Sequence, residues 1–131
     1  MNTQKTILVV EDEKGLRDAI VDILRMKKFL PLEAKDGKEG VEIALSKHPD
    51  LILLDLLMPV MDGMTVLKKI REDVWGSHVP VIILTNSRAT SEQLVEDVVT
   101  HEPMHYLVKS DWKLHDVVKK IKEILETQGT L

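Results

Sequence analysis

Glu11, Asp12, Asp55, Thr85 and Lys109 carry groups that could do chemistry together, and all of them stand at the ends of apolar runs. Ile7 to Val10 leads into Glu11-Asp12-Glu13, Leu51 to Leu54 into Asp55, Val79 to Leu84 into Thr85-Asn86-Ser87, and His105 to Val108 into Lys109. Such runs read as strands, those without polar alternation as strands buried on both faces, and open α/β sheets place their ligands beyond the carboxyl ends of their strands. Carboxylates with no His or Cys beside them are hard oxygen donors. They suit Mg²⁺, which is usually held through one or two carboxylates plus a phosphate. A lysine adds a point charge for a phosphoryl oxygen and a threonine a hydroxyl donor. The set therefore describes a phosphoryl site, and a carboxylate such as Asp55 can itself accept a phosphoryl group. Three successive carboxylates at Glu11 to Glu13 repel one another and require a cation nearby. Asp55 taken alone could equally cap the turn signalled by Pro59, Asp62 and Gly63.

These residues meet only if the intervening chain carries every strand past the same edge. Leu16, Ala19, Ile20, Ile23 and Leu24 recur at helical spacing and predict a helix from about Lys14 to Lys28. Phe29 to Ala34, alternating around Pro31, predicts an edge strand, because Pro cannot donate to a ladder on both sides. Asp36 with Glu39 resembles a capping box opening a helix with Gly40, Val41, Ala44 and Leu45 inward, and Pro49 bars its continuation. Asp62 can cap a third helix through Val66, Leu67 and Ile70. Thr90 with Gln93 opens a fourth, from Ser91 to about Thr100, and Leu114, Val117, Val118, Ile121 and Leu125 mark the fifth. Five strands alternating with five helices predict an α/β, doubly wound five-stranded parallel sheet. Right-handed crossovers then bring all the strand ends to one edge.

A chain of 131 residues fits one domain, 1–131, with a core over about residues 6–126. It has no cysteine, which excludes disulfides and thiolate metal sites. With 22 acidic and 18 basic residues the net charge is −4, which argues against nucleic acid as the main partner. No apolar run approaches the ~20 residues of a membrane span, and Met1 to Lys5 lacks a signal core, so the expectation is a cytoplasmic protein. The histidines lack ligand spacing and are expected at the surface. Trp75 and Trp112 fall in predicted loops, as packing anchors or contact residues alike.

The order and spacing of Val10-Glu11-Asp12-Glu13, Asp55 with Met58-Pro59-Val60-Met61-Asp62-Gly63, Thr85, and Tyr106-Leu107-Val108-Lys109 resembles the response-regulator receiver domains of two-component signalling. The resemblance runs from Ile7 to about Leu125. It implies a flavodoxin-like strand order of 2-1-3-4-5 and a signalling switch whose only covalent chemistry is Mg²⁺-dependent self-phosphorylation and autodephosphorylation. Asp55 would accept a phosphoryl group from the phosphohistidine of a histidine kinase or phosphotransfer protein. Asp12, Asp55 and the backbone carbonyl of Leu57 would bind Mg²⁺ directly, and Glu11 mainly through water. Lys109 would pair with Asp55 and later with the phosphoryl group. Thr85 would move toward the phosphoryl oxygens and Tyr106 into the space it vacates, changing a readout face on the fourth helix, fifth strand and fifth helix.

Because the chain stops at Leu131, the resemblance suggests a stand-alone regulator, monomeric or weakly dimeric. It would dock to another protein or serve a phosphorelay, without direct nucleic-acid binding or membrane insertion. Three positions depart from the family: Ser110 follows Lys109 where Pro is usual, His101-Glu102-Pro103 replaces small residues before the fifth strand, and apolar Leu57 stands at a variable position beside the site. Ser110 leaves open a receiver-like scaffold regulated without phosphorylation. A small Mg²⁺-dependent phosphohydrolase is a further rival, although Leu56-Leu57 offers no second acid for a leaving group. A flavodoxin-like mononucleotide binder would need a Gly-rich loop after the first strand, and none is present.

Overall fold

The computed structural model describes residues 4–55, 58, 60–85, 104–108 and 113–128. Five strands, β1 (Thr6–Val10), β2 (Leu30–Ala34), β3 (Leu51–Asp55), β4 (Val81–Thr85) and β5 (Met104–Val108), form one parallel sheet. Their order is β2-β1-β3-β4-β5, as the resemblance implies, with Pro31 on the edge strand β2. The described helices are α1 (Lys14–Met26), α2 (Gly37–Lys47), α3 (Gly63–Glu72) and a C-terminal helix (Leu114–Gln128), with a 3₁₀ turn at Trp75–Ser77. The further helix expected over Ser91 to Thr100 lies outside the described residues. Among the described residues, no helix is long and apolar enough to cross a membrane.

The alternation of side chains along a strand splits the core into two layers. Leu8, Val10, Ile52, Leu54, Val81 and Ile83 pack with residues of α2 and α3. Ile7, Val9, Leu51, Leu53, Ile82 and Leu84 pack with residues of α1 and the C-terminal helix. All five residues of β3 are buried, so Leu51 to Leu54 contribute to both layers, each burial being worth about 1.5–3 kcal/mol. Trp75 is a packing anchor: it is partly buried against the α2/α3 layer and stacks on His48, centroids 4.4 Å apart and rings within 8° of parallel.

Register decides what arrives at the carboxyl edge, because a one-residue slip would turn every side chain to the opposite face. Asp50 sets it where β1 and β3 begin. Its Oδ2 accepts from the Thr6 N–H at 2.7 Å, while its own N–H donates to the Thr6 carbonyl at 2.8 Å. Val9 and Val10 then lie beside Leu53 and Leu54, and the next step along both strands brings Glu11 level with Asp55.

Some element boundaries differ from the sequence expectation. α1 ends at Met26 rather than Lys28 because Lys28 is left-handed, with φ of 69°. The Phe29 N–H returns to the Leu24 carbonyl and the Lys28 N–H to that of Arg25, the pair of bonds of a Schellman stop with lysine in the usual glycine place. Val21 is buried on α1, whereas Ala19 and Ile23 are only partly so. β4 begins at Val81, not Val79. Arg71 Nη1 donates to the Val79 carbonyl at 2.7 Å, and Pro80 has no N–H for a ladder. The same guanidinium nitrogen holds the Gly76 carbonyl at 2.7 Å, and burial pushes the Arg71 pKa down.

The start of α2 approaches the loop after β3 so closely that only glycine fits. Asp36 caps the helix, its Oδ1 accepting from the Glu39 N–H at 2.8 Å, and Glu39 Oε1 reaches back to the Lys35 N–H. A Cβ on Gly37 would collide with the Met61 carbonyl and stand 2.7 Å from Val66 Cγ2. Gly37→Ala is therefore expected to lower stability by about 1–3 kcal/mol, read as a lower urea midpoint, by forcing the loop away from α2. Exposed Lys38→Ala on the same turn should stay within about 0.5 kcal/mol of wild type.

Candidate functional site

Glu11 extends β1 by one residue, its N–H donating to the Ala34 carbonyl of β2 at 3.1 Å. Asp55 ends β3, and Asp12 follows Glu11 in the turn into α1. Glu11 is fully buried and Asp55 is 2% exposed, while Asp12 is exposed. One carboxylate oxygen from each lies within 4.8 Å of the others. At that spacing two ionised carboxylates repel by roughly 3 kcal/mol at an effective dielectric constant near 20. The sheet thus brings together three of the residues singled out in the sequence.

Among the described residues, Arg17 places a cation beside this acidic run. Its Nη1 donates to the Glu11 carbonyl at 2.9 Å, and its Nε faces Glu33 Oε1 on β2 at 3.4 Å. Glu11 Oε2 also accepts from the Glu13 N–H at 3.3 Å. Lys14, nearer in sequence, pairs instead with Asp18 at 2.6 Å, and that hydrogen bond holds the exposed Asp18 carboxyl below its usual pKa. Sequence reasoning did not single out Arg17. Its signal was a cation directly after Leu16 on the flank of the α1 apolar stripe, where a long side chain can cover the sheet edge.

On the other side of Asp55, the loop into α3 is pinned at several points. Met58 and Met61 pack against the α2/α3 layer, and Asp62 Oδ1 caps α3 by accepting from the Thr65 N–H at 2.9 Å. Val60 between them is exposed and left-handed, with φ of 72°. Thr85 ends β4 one residue beyond Leu84, the neighbour of Asp55, and its backbone pairs with Val108. Tyr106 lies beside Ile83 in the β4–β5 ladder. The side chains of Thr85 and Tyr106 lie outside the described residues, as do Leu57, the segment His101-Glu102-Pro103, Lys109 and Ser110, and Trp112.

As a donor set, Glu11, Asp12 and Asp55 are all-oxygen, anionic and open to water on the Asp12 side. That fits a hard cation that keeps several waters, Mg²⁺ above all. A carboxylate at the end of a buried strand, with two more beside it, can hold such a cation or act as a nucleophile toward phosphorus.

Comparison with known proteins agrees with this geometry. The response regulator receiver domain model matches residues 7–122. Histidine kinase P4 of Formosa agariphila is 42% identical over 128 residues, covering 98% of this chain and 9% of that protein. The nitrate/nitrite response regulator protein NarL of Escherichia coli is 35% identical over 123 residues, 90% of this chain and 53% of NarL. The chain therefore spans about half of one of these relatives and a small part of the other. The receiver domain of the sensor histidine kinase PA1611 from Pseudomonas aeruginosa, solved with magnesium coordinated in its active-site cleft, superposes with a TM-score of 0.81 at 27% identity. It covers 92% of this chain and 97% of that one. With the family model matching most of its length and the sheet order and acidic edge in place, the chain belongs to the response regulator receiver domain family.

Proposed function

We propose that this receiver domain is a phosphoacceptor switch in which Asp55 takes a phosphoryl group from the phosphohistidine of a histidine kinase or phosphotransfer protein. The observation that carries this reading is the buried Glu11 and Asp55 pair with exposed Asp12 within 4.8 Å. An oxygen of Asp55 attacks phosphorus, forming an O–P bond as the N–P bond to the donor imidazole breaks and its electron pair leaves with the imidazole nitrogen. Burial of Asp55 at the end of β3 fixes the direction of attack and restricts water beside the resulting acyl phosphate.

Glu11, Asp12 and Asp55, with the backbone carbonyl of Leu57, are the proposed Mg²⁺ holders. Bound there, Mg²⁺ supplies positive charge against the carboxylates and the incoming phosphoryl oxygens. Lys109 directly follows β5 and is assigned the second counter-charge. Thr85, one residue beyond Asp55's neighbour Leu84 on the adjacent strand, is assigned the hydroxyl that engages the phosphoryl oxygens, and Tyr106 the rotation that transmits the change to a partner-binding face.

Incubation with acetyl phosphate and MgCl₂ is expected to add one phosphoryl group to the wild type and none to Asp55→Asn, as read by intact mass. An adduct that persists in the variant would overturn the assignment of Asp55. Without divalent cations, Asp55→Asn should be more stable than wild type by about 1–3 kcal/mol, because one member of a repelling set becomes neutral. Mg²⁺ at a hundred times its dissociation constant should stabilise the wild type by about 2.7 kcal/mol and the variant much less. Urea titrations with EDTA or MgCl₂ measure both effects, and a wild type indifferent to Mg²⁺ would remove the metal from the reading.

A further inference from the structure

We infer that Arg17 is a positioning residue for the cation site, holding the Glu11–Asp12 peptide so that the carboxylates on either side of it face Asp55; the inference rests on the Mg²⁺ reading above. The Glu11 carbonyl belongs to the peptide that joins the two acids, and Arg17 Nη1 donates to it at 2.9 Å. The N–H of Glu11 is held by Ala34 on β2, and Arg17 is itself tied by Nε to Glu33, the preceding residue of β2. Two adjacent residues of the edge strand thus hold both backbone groups of Glu11, one directly and one through the guanidinium. The Arg17 side chain is only 14% exposed, which confines it to this arrangement. Rotation of the peptide about its flanking bonds would carry Asp12 away from Glu11 and Asp55, and Arg17 opposes that rotation.

A role through charge alone predicts the opposite outcome. A cation beside a cation site repels the metal, so removing it would strengthen Mg²⁺ binding, and keeping the charge as lysine would leave binding unchanged. Lysine carries a point charge on a flexible stem and lacks the planar fork that reaches a carbonyl and a carboxylate together. For positioning, Arg17→Lys is therefore expected to weaken Mg²⁺ binding by about tenfold, the usual lower range for losing an outer partner of a metal ligand. Arg17→Met, which keeps an unbranched apolar stem and removes every donor, should weaken it at least as much.

The experiment is a calorimetric titration of the full chain with MgCl₂ for wild type, Arg17→Lys and Arg17→Met, at a temperature where circular dichroism shows each folded. Loss of affinity in the lysine variant with its charge intact supports positioning, and the milder variant keeps the test open if Arg17→Met does not fold. Lysine binding equal to wild type, or stronger binding by the methionine variant, overturns it. A wild type that does not bind Mg²⁺ defeats the underlying metal reading instead, so the two failures are separable.

Discussion

The sheet must hold like charges together, and much of the described structure can be understood from that constraint. Glu11 and Asp55 are withdrawn from water beside each other and beside Asp12, an arrangement that costs free energy both by desolvation and by mutual repulsion. The apolar burial of the strands that carry them works against that cost. β3 lies between the two core layers with all of its residues buried, and Ile7 to Val10 of β1 are buried as well. A one-residue slip of β1 against β3 would relieve the repulsion but would turn the apolar set of the slipped strand to the other layer. The reciprocal Asp50 and Thr6 bonds stand at the far end of those strands, where they fix register without adding charge to the acidic edge.

The acidic edge is braced from both layers. From the α1 side, Arg17 and Glu33 hold the turn after β1. From the α2/α3 side, the loop after Asp55 is held by Met58, Met61 and the Asp62 cap, with Gly37 letting α2 close onto the Met61 carbonyl. That loop contains Val60 at positive φ, a conformation in which a β-branched residue is strained by about 1–3 kcal/mol. Such a conformation persists only where its surroundings over-determine it, and fixed points on both sides of Val60 do so. The exposed isopropyl group adds nothing to the core, so the strain belongs to the path the backbone must take from Asp55 to the α3 cap.

Features with strong local causes were legible in the sequence, and those with distant causes were not. Leu51 to Leu54 read as a doubly buried strand and are one, and Asp36 and Asp62 announce their helices by a side chain that bonds three residues on. The order of the sheet followed from the family resemblance, and the acidic edge from right-handed crossovers that bring the strand ends to one side. By contrast, the start of β4 depends on Arg71 reaching eight residues ahead to Val79, and the end of α1 on a lysine adopting a conformation that glycine usually takes. Arg17 was missed for the same reason: Lys14 is closer in sequence to the acidic triplet, and only the fold shows that Arg17, among the described residues, reaches the Glu11 carbonyl. Lys109, Ser110 and Leu57 are legible by motif and fall outside the described residues.

Arg17 also shows how a cation can organise an anionic site without filling it. Were its guanidinium committed to the carboxylates in a bidentate pair, it would supply the positive charge that a metal is needed for, and the site would become a buried ion pair. Its described bonds go to the Glu11 carbonyl and to Glu33 instead. Glu33 faces the Arg17 guanidinium, so the arginine is held by the edge strand while it fixes the backbone beneath the carboxylates. Geometry and ligation fall to different groups: β2 and α1 hold the peptide, and the three carboxylates form the all-oxygen set that could hold a cation. The edge strand, which carries none of the three acids, holds the site through the Ala34 carbonyl and the Glu33 side chain.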